Sequence, residues 1–311
     1  VAAGNAEENS VKITGGTINT SAYGADLTAA AGTGTARKNK AEMTNGNITG
    51  SLYGAHTAGS GTLTESEVSV SGGTIGASVY GSDVAAGAGD ATKSKITLTG
   101  GAITGDVYGG RAAGTGAATG HTLNLNGGTV GGSVYGGHTA SGATTGNTVN
   151  LGNGTTNDVT TVTGTIAGGN QAADTDNVLN VYDTVSAGNI ANFDRVNFNA
   201  SPHIAAGDTF LTLTGSSTTN LDWNKLYVDS LDNVTASATD DRIFTLLHNS
   251  NTINFTNYST TGTRGRIRSA DYEADITTDG NSATSQNVYL KGYRFQNNTG
   301  ANYAGGTATD A

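Results

Sequence analysis

The chain has 311 residues, a formal net charge of −10 and no cysteine. The acidic balance argues against nucleic acid and anionic lipid as partners, because both select basic surfaces. The lack of cysteine excludes a disulfide scaffold, thiolate metal sites and a cysteine nucleophile, and no stretch approaches the roughly 18–20 apolar residues of a membrane helix.

One phrase recurs along the first half. It reads "TGGTINTSAYGA" (14–25), "TNGNITGSLYGA" (44–55), "SGGTIGASVYGS" (71–82), "TGGAITGDVYGG" (99–110) and "NGGTVGGSVYGG" (126–137). Val1 stands just before the first copy, so the chain reads as an excised piece of a longer protein. The closing tyrosines are Tyr23, Tyr53, Tyr80, Tyr108 and Tyr135. They recur every about 27–30 residues, a near-fixed period that marks a solenoid, propeller or array. Gly, Thr, Asn and β-branched residues dominate the unit, which disfavours helical repeats.

Within a unit, "HTLNLN" (121–126) alternates with Leu123 and Leu125 on one face. Gly127-Gly128 turns, Val130 points inward, Gly131-Gly132 turns again, and "SVYGG" (133–137) is a third strand. "HTASGATTG" (138–146) reads as a loop back. Three short strands and a loop per unit predict one coil of a three-sided parallel β-helix, whereas a propeller blade needs four strands and about 40 residues.

The charges test this stacking. Equivalent residues of neighbouring coils lie about 4.8 Å apart, where like charges repel. One column reads Lys38, Glu65, Lys93 and another Lys40, Glu67, Lys95, with Lys12 facing Glu42. Just past each tyrosine a further column runs Asp26, His56, Asp83, Arg111, His138. Signs alternate wherever adjacent coils are charged, except at the Arg111–His138 step. Inward columns are apolar: Ile13, Met43, Val70, Leu98, Leu125 and Leu151 form one, Ile18, Ile48, Ile75, Ile103 and Val130 another. The tyrosines form a stack, structural or binding, with parity pointing Tyr135 outward.

Regular repeats occupy 1–176. Over 177–311 we expect degenerate coils and a cap, since an open β-helix end exposes strand edges and core. Strand candidates there are 193–200, 208–215, 224–231, 241–249, 251–259 and 287–295. "RGRIRSADYEAD" (264–275) predicts a hairpin turning at Ser269-Ala270. It would pair Arg268 with Asp271, Arg266 with Glu273 and Arg264 with Asp275.

No catalytic signature stands out. No Walker-type Gly-Lys-Ser/Thr ends the glycine phrase, and "GGSVYGG" misses a serine-hydrolase elbow because Tyr135 holds the second Gly position. His56 and His138 read as ladder residues, while His121, His203 and His248 have no carboxylate-rich motif around them. Asp26 and Asp83 share a column about 9.6 Å apart, a marginal spacing for a glycosidase pair with His56 between them. The calcium-binding nonapeptide GGxGxD is absent, so no metal or other cofactor is implied.

The tandem "GGTI…SVYGG" units, with "GNIANFDRVNFNASPHIAAGDTFLTLTG" (188–215), resemble passenger domains of type V autotransporter adhesins of Gram-negative bacteria. The resemblance spans most of the chain and is one of pattern. It implies a right-handed β-helix held at the cell surface through a C-terminal outer-membrane barrel. That barrel is not in this sequence, which closes on "TGANYAGGTATDA" (299–311), so this segment is expected not to insert in the membrane itself. The absence of cysteine suits a chain that crosses the periplasm unfolded. The function so implied is non-catalytic: adhesion to a host or bacterial surface receptor, protein or glycan, or self-association in aggregation and biofilm. The alternative is a β-helical polysaccharide-degrading enzyme.

Overall fold

The computed structural model describes residues 4–28, 33–155, 160–171, 174–199, 202–205, 207–230, 242–259, 267–268, 272–295 and 303–304. The chain winds as an all-β parallel solenoid of about 8 turns with rungs of about 28 residues. The best-formed coil shows how. Thr122–Leu125 forms the first wall, Thr129–Val130 the second, and Val134–Thr139 the third. Each pairs in parallel with its counterparts, so that Leu123 lies between Ile96 and Val149, and Val130 between Ile103 and Val162. The first corner needs backbone that L-residues avoid: Gly16, Gly46, Gly73, Gly101 and Gly128 all take positive φ there.

The inward columns build one continuous core. Met43, Val70, Leu98, Leu125, Leu151, Val181 and Phe198 follow one another, all nearly fully buried. The first coil is thinly covered, with Val11 and Ile18 half-buried against the cluster, as are Leu221 and Tyr258 near the other end. In-register pairing continues past residue 176, since Val178–Val181 stacks on Thr148–Leu151 and then on Arg195–Asn199.

The walls of the five tyrosine coils keep a constant length, whereas the next, from Thr148 to Ala167, is longer. Ser10 to Tyr23, Lys40 to Tyr53, Glu67 to Tyr80, Lys95 to Tyr108 and Thr122 to Tyr135 are equal stretches of chain. Val178 to Ala191, the same two wall positions further on, is equal to them again. All irregularity of the tyrosine period therefore lies in the return. The loop read over 138–146 holds beyond Thr139, but the four earlier returns carry a fourth strand, at Thr35–Arg37, Thr62–Thr64, Ala91–Thr92 and Ala118–Thr119, which joins Ala6–Glu7 in a five-stranded side sheet. The sheet closes over a second, small core of Leu27, Ala36, Ala55, Leu63, Ala91 and Ala112 with their neighbours. Ala and Thr in a Gly-rich stretch carry too weak an alternation to announce such strands.

Between side sheet and first wall the chain turns through a left-handed residue. Glu8, Lys38, Glu65 and Lys93 have φ of 55–56°, and Gly120, Gly146 and Asp176 follow in the same column with φ of 64–71°. Lys38, Glu65 and Lys93 are thus corner residues and not the strand neighbours that their spacing implied.

Beyond the regular coils the filling becomes aromatic. Phe198, Phe210 and Phe244 contact edge to face at 5.8 and 5.4 Å. Trp223 opens a short 3-10 turn, capped by Asp222 accepting from Asn224 N at 2.8 Å, and packs on Phe255 and Tyr258. The candidates 241–249 and 251–259 are one strand, Arg242–Thr256. One edge of it lies parallel to Thr209–Leu213 and Thr219–Asp222, and the other is antiparallel to Thr284–Phe295. That strand in turn pairs with Tyr272–Thr278. The pairing thus changes from parallel to antiparallel where the coils end. The hairpin over 264–275 forms in a different register: Arg268 lies opposite Glu273 and Ile267 opposite Ala274. Arg268 thus meets Glu273 in place of Asp271, a shift of two residues. Arg264, Arg266 and Asp271 lie outside the described residues.

Candidate functional site

The third wall presents the most concentrated chemistry. In Val134–Thr139 the ends Val134 and Thr139 are buried, while Tyr135 and His138 face outward across Gly136-Gly137. A Cβ on Gly109 would collide with the Gly136 carbonyl oxygen of the next coil, which is why this column holds glycine throughout. The outward tyrosines stack face to face. Ring centroids from Tyr23 through Tyr53, Tyr80 and Tyr108 to Tyr135 are 4.7, 4.7, 4.9 and 5.2 Å apart, tilted by no more than 10°. Each inner ring has both faces covered by its neighbours. Burial pushes the Tyr53 hydroxyl up to about 12 and also raises those of Tyr80 and Tyr108. Tyr108 donates to Asp106 at 2.9 Å.

Beside the rings runs the line Asp26, His56, Asp83, Arg111, His138, each in register with the next. His56 Nδ1 bonds Asp26 at 2.8 Å, and its Nε2 lies 3.9 Å from Asp83. Asp83, only 1% exposed, accepts both guanidinium arms of Arg111 at 2.7 and 3.0 Å. Arg111 also lies over the Tyr80 ring at 5.0 Å. His138 meets Tyr108 and Tyr135 edge-on, and burial, then the charge of Arg111, hold its imidazole below the ordinary range. Both carboxylates of the column are therefore engaged. A glycosidase needs one carboxyl free to give a proton and one free to attack or activate water. Among the described residues, no three His, Asp or Glu side chains gather to hold a metal ion.

Two ladders that bond the backbone escaped the reading of the sequence. The first lies at the corner before the tyrosine strand. Ser21, Ser51, Ser78, Asp106 and Ser133 each accept the backbone N–H of the next coil, at 3.0, 3.2, 3.1, 2.7 and 3.1 Å. The second is buried, directly after the left-handed corner. Asn39, Ser66, Ser94, His121, Asn147 and Asn177 occupy it, none more than 1% exposed. Ser94 N donates to His121 Nδ1, His121 N to Asn147 Oδ1, and Asn147 N to Asn177 Oδ1, each at 3.0 Å. Because Nδ1 accepts, the proton sits on Nε2 and is donated to Ala91 O at 3.0 Å. Burial holds this imidazole down to about 3, so it stays neutral. The facing position adapts. A Cβ at Gly110 would collide with His121, whereas Ser82 faces Ser94 at 2.7 Å. That is why one copy of the phrase ends in Ser and two end in Gly. A signal was present: the corner column mixes Lys, Glu and Gly, as a left-handed position does.

On the outer face of the first wall, Lys40–Glu67–Lys95 lie in backbone register as expected. Lys12 bonds Glu42 at 2.7 Å, and this cation lowers the Glu42 carboxyl. Among the described residues, however, no ion pair within 4.0 Å joins any two of Lys38, Glu65, Lys93, Lys40, Glu67 and Lys95; Glu65 instead reaches Arg37 at 4.0 Å. Further along the same face the charges give way to amides. Asn150 donates to Asn124, Asn180 to Asn150 and Asn197 to Asn180, at 2.7–2.8 Å.

Compared with known protein families, characterised proteins and solved structures, the chain matches none.

Proposed function

We propose that this chain is a non-catalytic adhesive segment of a bacterial cell-surface protein, of the autotransporter passenger type. It would hold a host or bacterial surface receptor, protein or glycan, or a second copy of itself. The observation that carries this reading is the outer surface: side chains repeat at coil spacing along flat walls, as suits an extended contact. The line of ionisable groups beside the tyrosines is closed by its own contacts, Asp26 to His56 and Asp83 to Arg111. Polysaccharide cleavage finds no such support, because it needs free opposed carboxyls.

The test is display of the full-length protein on non-adherent bacteria, scoring cell aggregation and binding to host cells. A gain in either is the expected result. No gain in both overturns the reading.

A further inference from the structure

The first four coils carry their corner charges in bands. The first coil bears Glu7 and Glu8, the second Arg37, Lys38 and Lys40, the third Glu65 and Glu67, the fourth Lys93 and Lys95. Net band charge therefore alternates −2, +3, −2, +2 along the solenoid axis, one band per coil at about 4.8 Å. Arg37 reaches Glu7 at 3.6 Å and Glu65 at 4.0 Å, and the other side chains of these bands close no ion pair among themselves. Lys38, Lys40, Glu65 and Glu67 instead rim an open cleft of about 360 Å³. Lys38, Lys40, Glu67, Lys93 and Lys95 are exposed.

A flat polyanion or polycation would meet as many like charges here as opposite ones. Complementarity demands a partner whose charges alternate with the same step. The same wall, reversed, is such a partner. A two-fold axis running parallel to the strands, between the second and third coils, reverses the coil order and keeps position along each strand. It brings Lys38 opposite the partner copy's Glu65, Lys40 opposite its Glu67, and Lys93 opposite its Glu8. Every contact occurs twice, as an isologous interface requires.

We propose that this wall binds a second copy of the chain in antiparallel orientation through its alternating Lys/Glu bands. The proposal rests on the adhesive reading above and names the partner for one face. Four coils make a small patch of exposed pairs, so a single contact is weak and its strength comes from many copies on one surface.

The experiment uses the 311-residue chain coupled to beads of two colours. Wild-type beads are expected to cluster at about 0.05 M salt and to disperse at about 1 M, where screening shortens to about 3 Å. Lys38→Glu/Lys40→Glu makes the second and third bands both negative, and Glu65→Lys/Glu67→Lys makes both positive. Each variant should cluster at least about ten-fold less with itself. Mixed together, the two should co-cluster as wild type does, because each supplies the sign that the other lacks. Circular dichroism and a cooperative melt establish that both are folded; if either is not, Lys40→Glu and Glu67→Lys make the same crossed test. Self-clustering by the variants at the wild-type level overturns the proposal, as does a mixed pair that stays dispersed. If wild-type beads cluster but the crossed pair does not rescue, association runs through another face and the adhesive reading stands. If displayed full-length protein neither aggregates cells nor binds them, the adhesive reading itself falls.

Discussion

The coil that starts at Val178 and the coil that starts at Thr122 solve the same closure in different ways. Their walls are equally long, from Val178 to Ala191 and from Thr122 to Tyr135. The first then returns directly from Ala191 to Arg195, whereas the second takes the whole stretch from Tyr135 to Thr148. The short coil shows that a segment no longer than Val178 to Asp194 suffices to wind the main core. In the coils before it, from Tyr23 to Thr122, the added length carries the side sheet, its alanine-lined second core and the corner where the charge bands sit. Stability of the tube and presentation of its surface are thus assigned to different parts of each repeat.

The comparison breaks first if the main core does not contribute most to stability. Phe210→Ala removes a ring that is 1% exposed and touches Phe198 and Phe244. It should cost about 3–5 kcal/mol by urea denaturation. Leu63→Ala, in the side sheet, should cost about 2–3 kcal/mol. Its loss should be local: hydrogen exchange should accelerate at Thr35–Arg37 and Thr62–Thr64, and stay slow at Glu67–Val70. Equal acceleration in both places would merge the two layers into one unit.

The buried ladder gives a third test, through pH. His121 is held to about 3 in the folded chain and lies near 6.5 when unfolded. Between those values the unfolded state binds the proton and the folded state does not. Stability from this site is therefore full above about 6.5 and is lost as pH falls. From about pH 7.5 to about pH 5 the loss should be about 2 kcal/mol. His121→Asn places at this rung the residue that its neighbours Asn147 and Asn177 already use. Comparing the two proteins by melting at both pH values should show that the variant lacks this share of the acid sensitivity. The smallest effect belongs to the exposed bands: Glu67→Gln should leave the melting temperature within about 1 °C, because surface pairs contribute little to folding. A larger shift would mean that the bands hold the coil together and are not reserved for a partner.

How much of this was legible follows from the same division. The wall columns could be read because wall length is the same in all five tyrosine coils, so Met43, Val70 and Leu98 align and the charges beside them fall into register. The side sheet could not be read. Its returns differ in length, from the longest, Tyr23 to Lys40, to the shortest, Tyr53 to Glu67 and Tyr108 to Thr122, and Ala, Gly and Thr define no clear face. His121 was set aside because no carboxylate-rich motif surrounds it. Only the stacking of coils reveals that the column beneath it, from Asn39 to Asn177, is closed to water. The hairpin register over 264–275 was misassigned for a related reason: parity fixes which face a residue takes, and the turn length fixes which residue it meets.

The short return from Ala191 to Arg195 has a practical meaning. It shows that the length of a return can change without disturbing the stacking of the main walls. Foreign peptides spliced into the Ala/Gly/Thr returns would be carried in a single file, one per coil. Such a file would have a pitch of about 4.8 Å, set by the hydrogen-bonded walls and not by the graft.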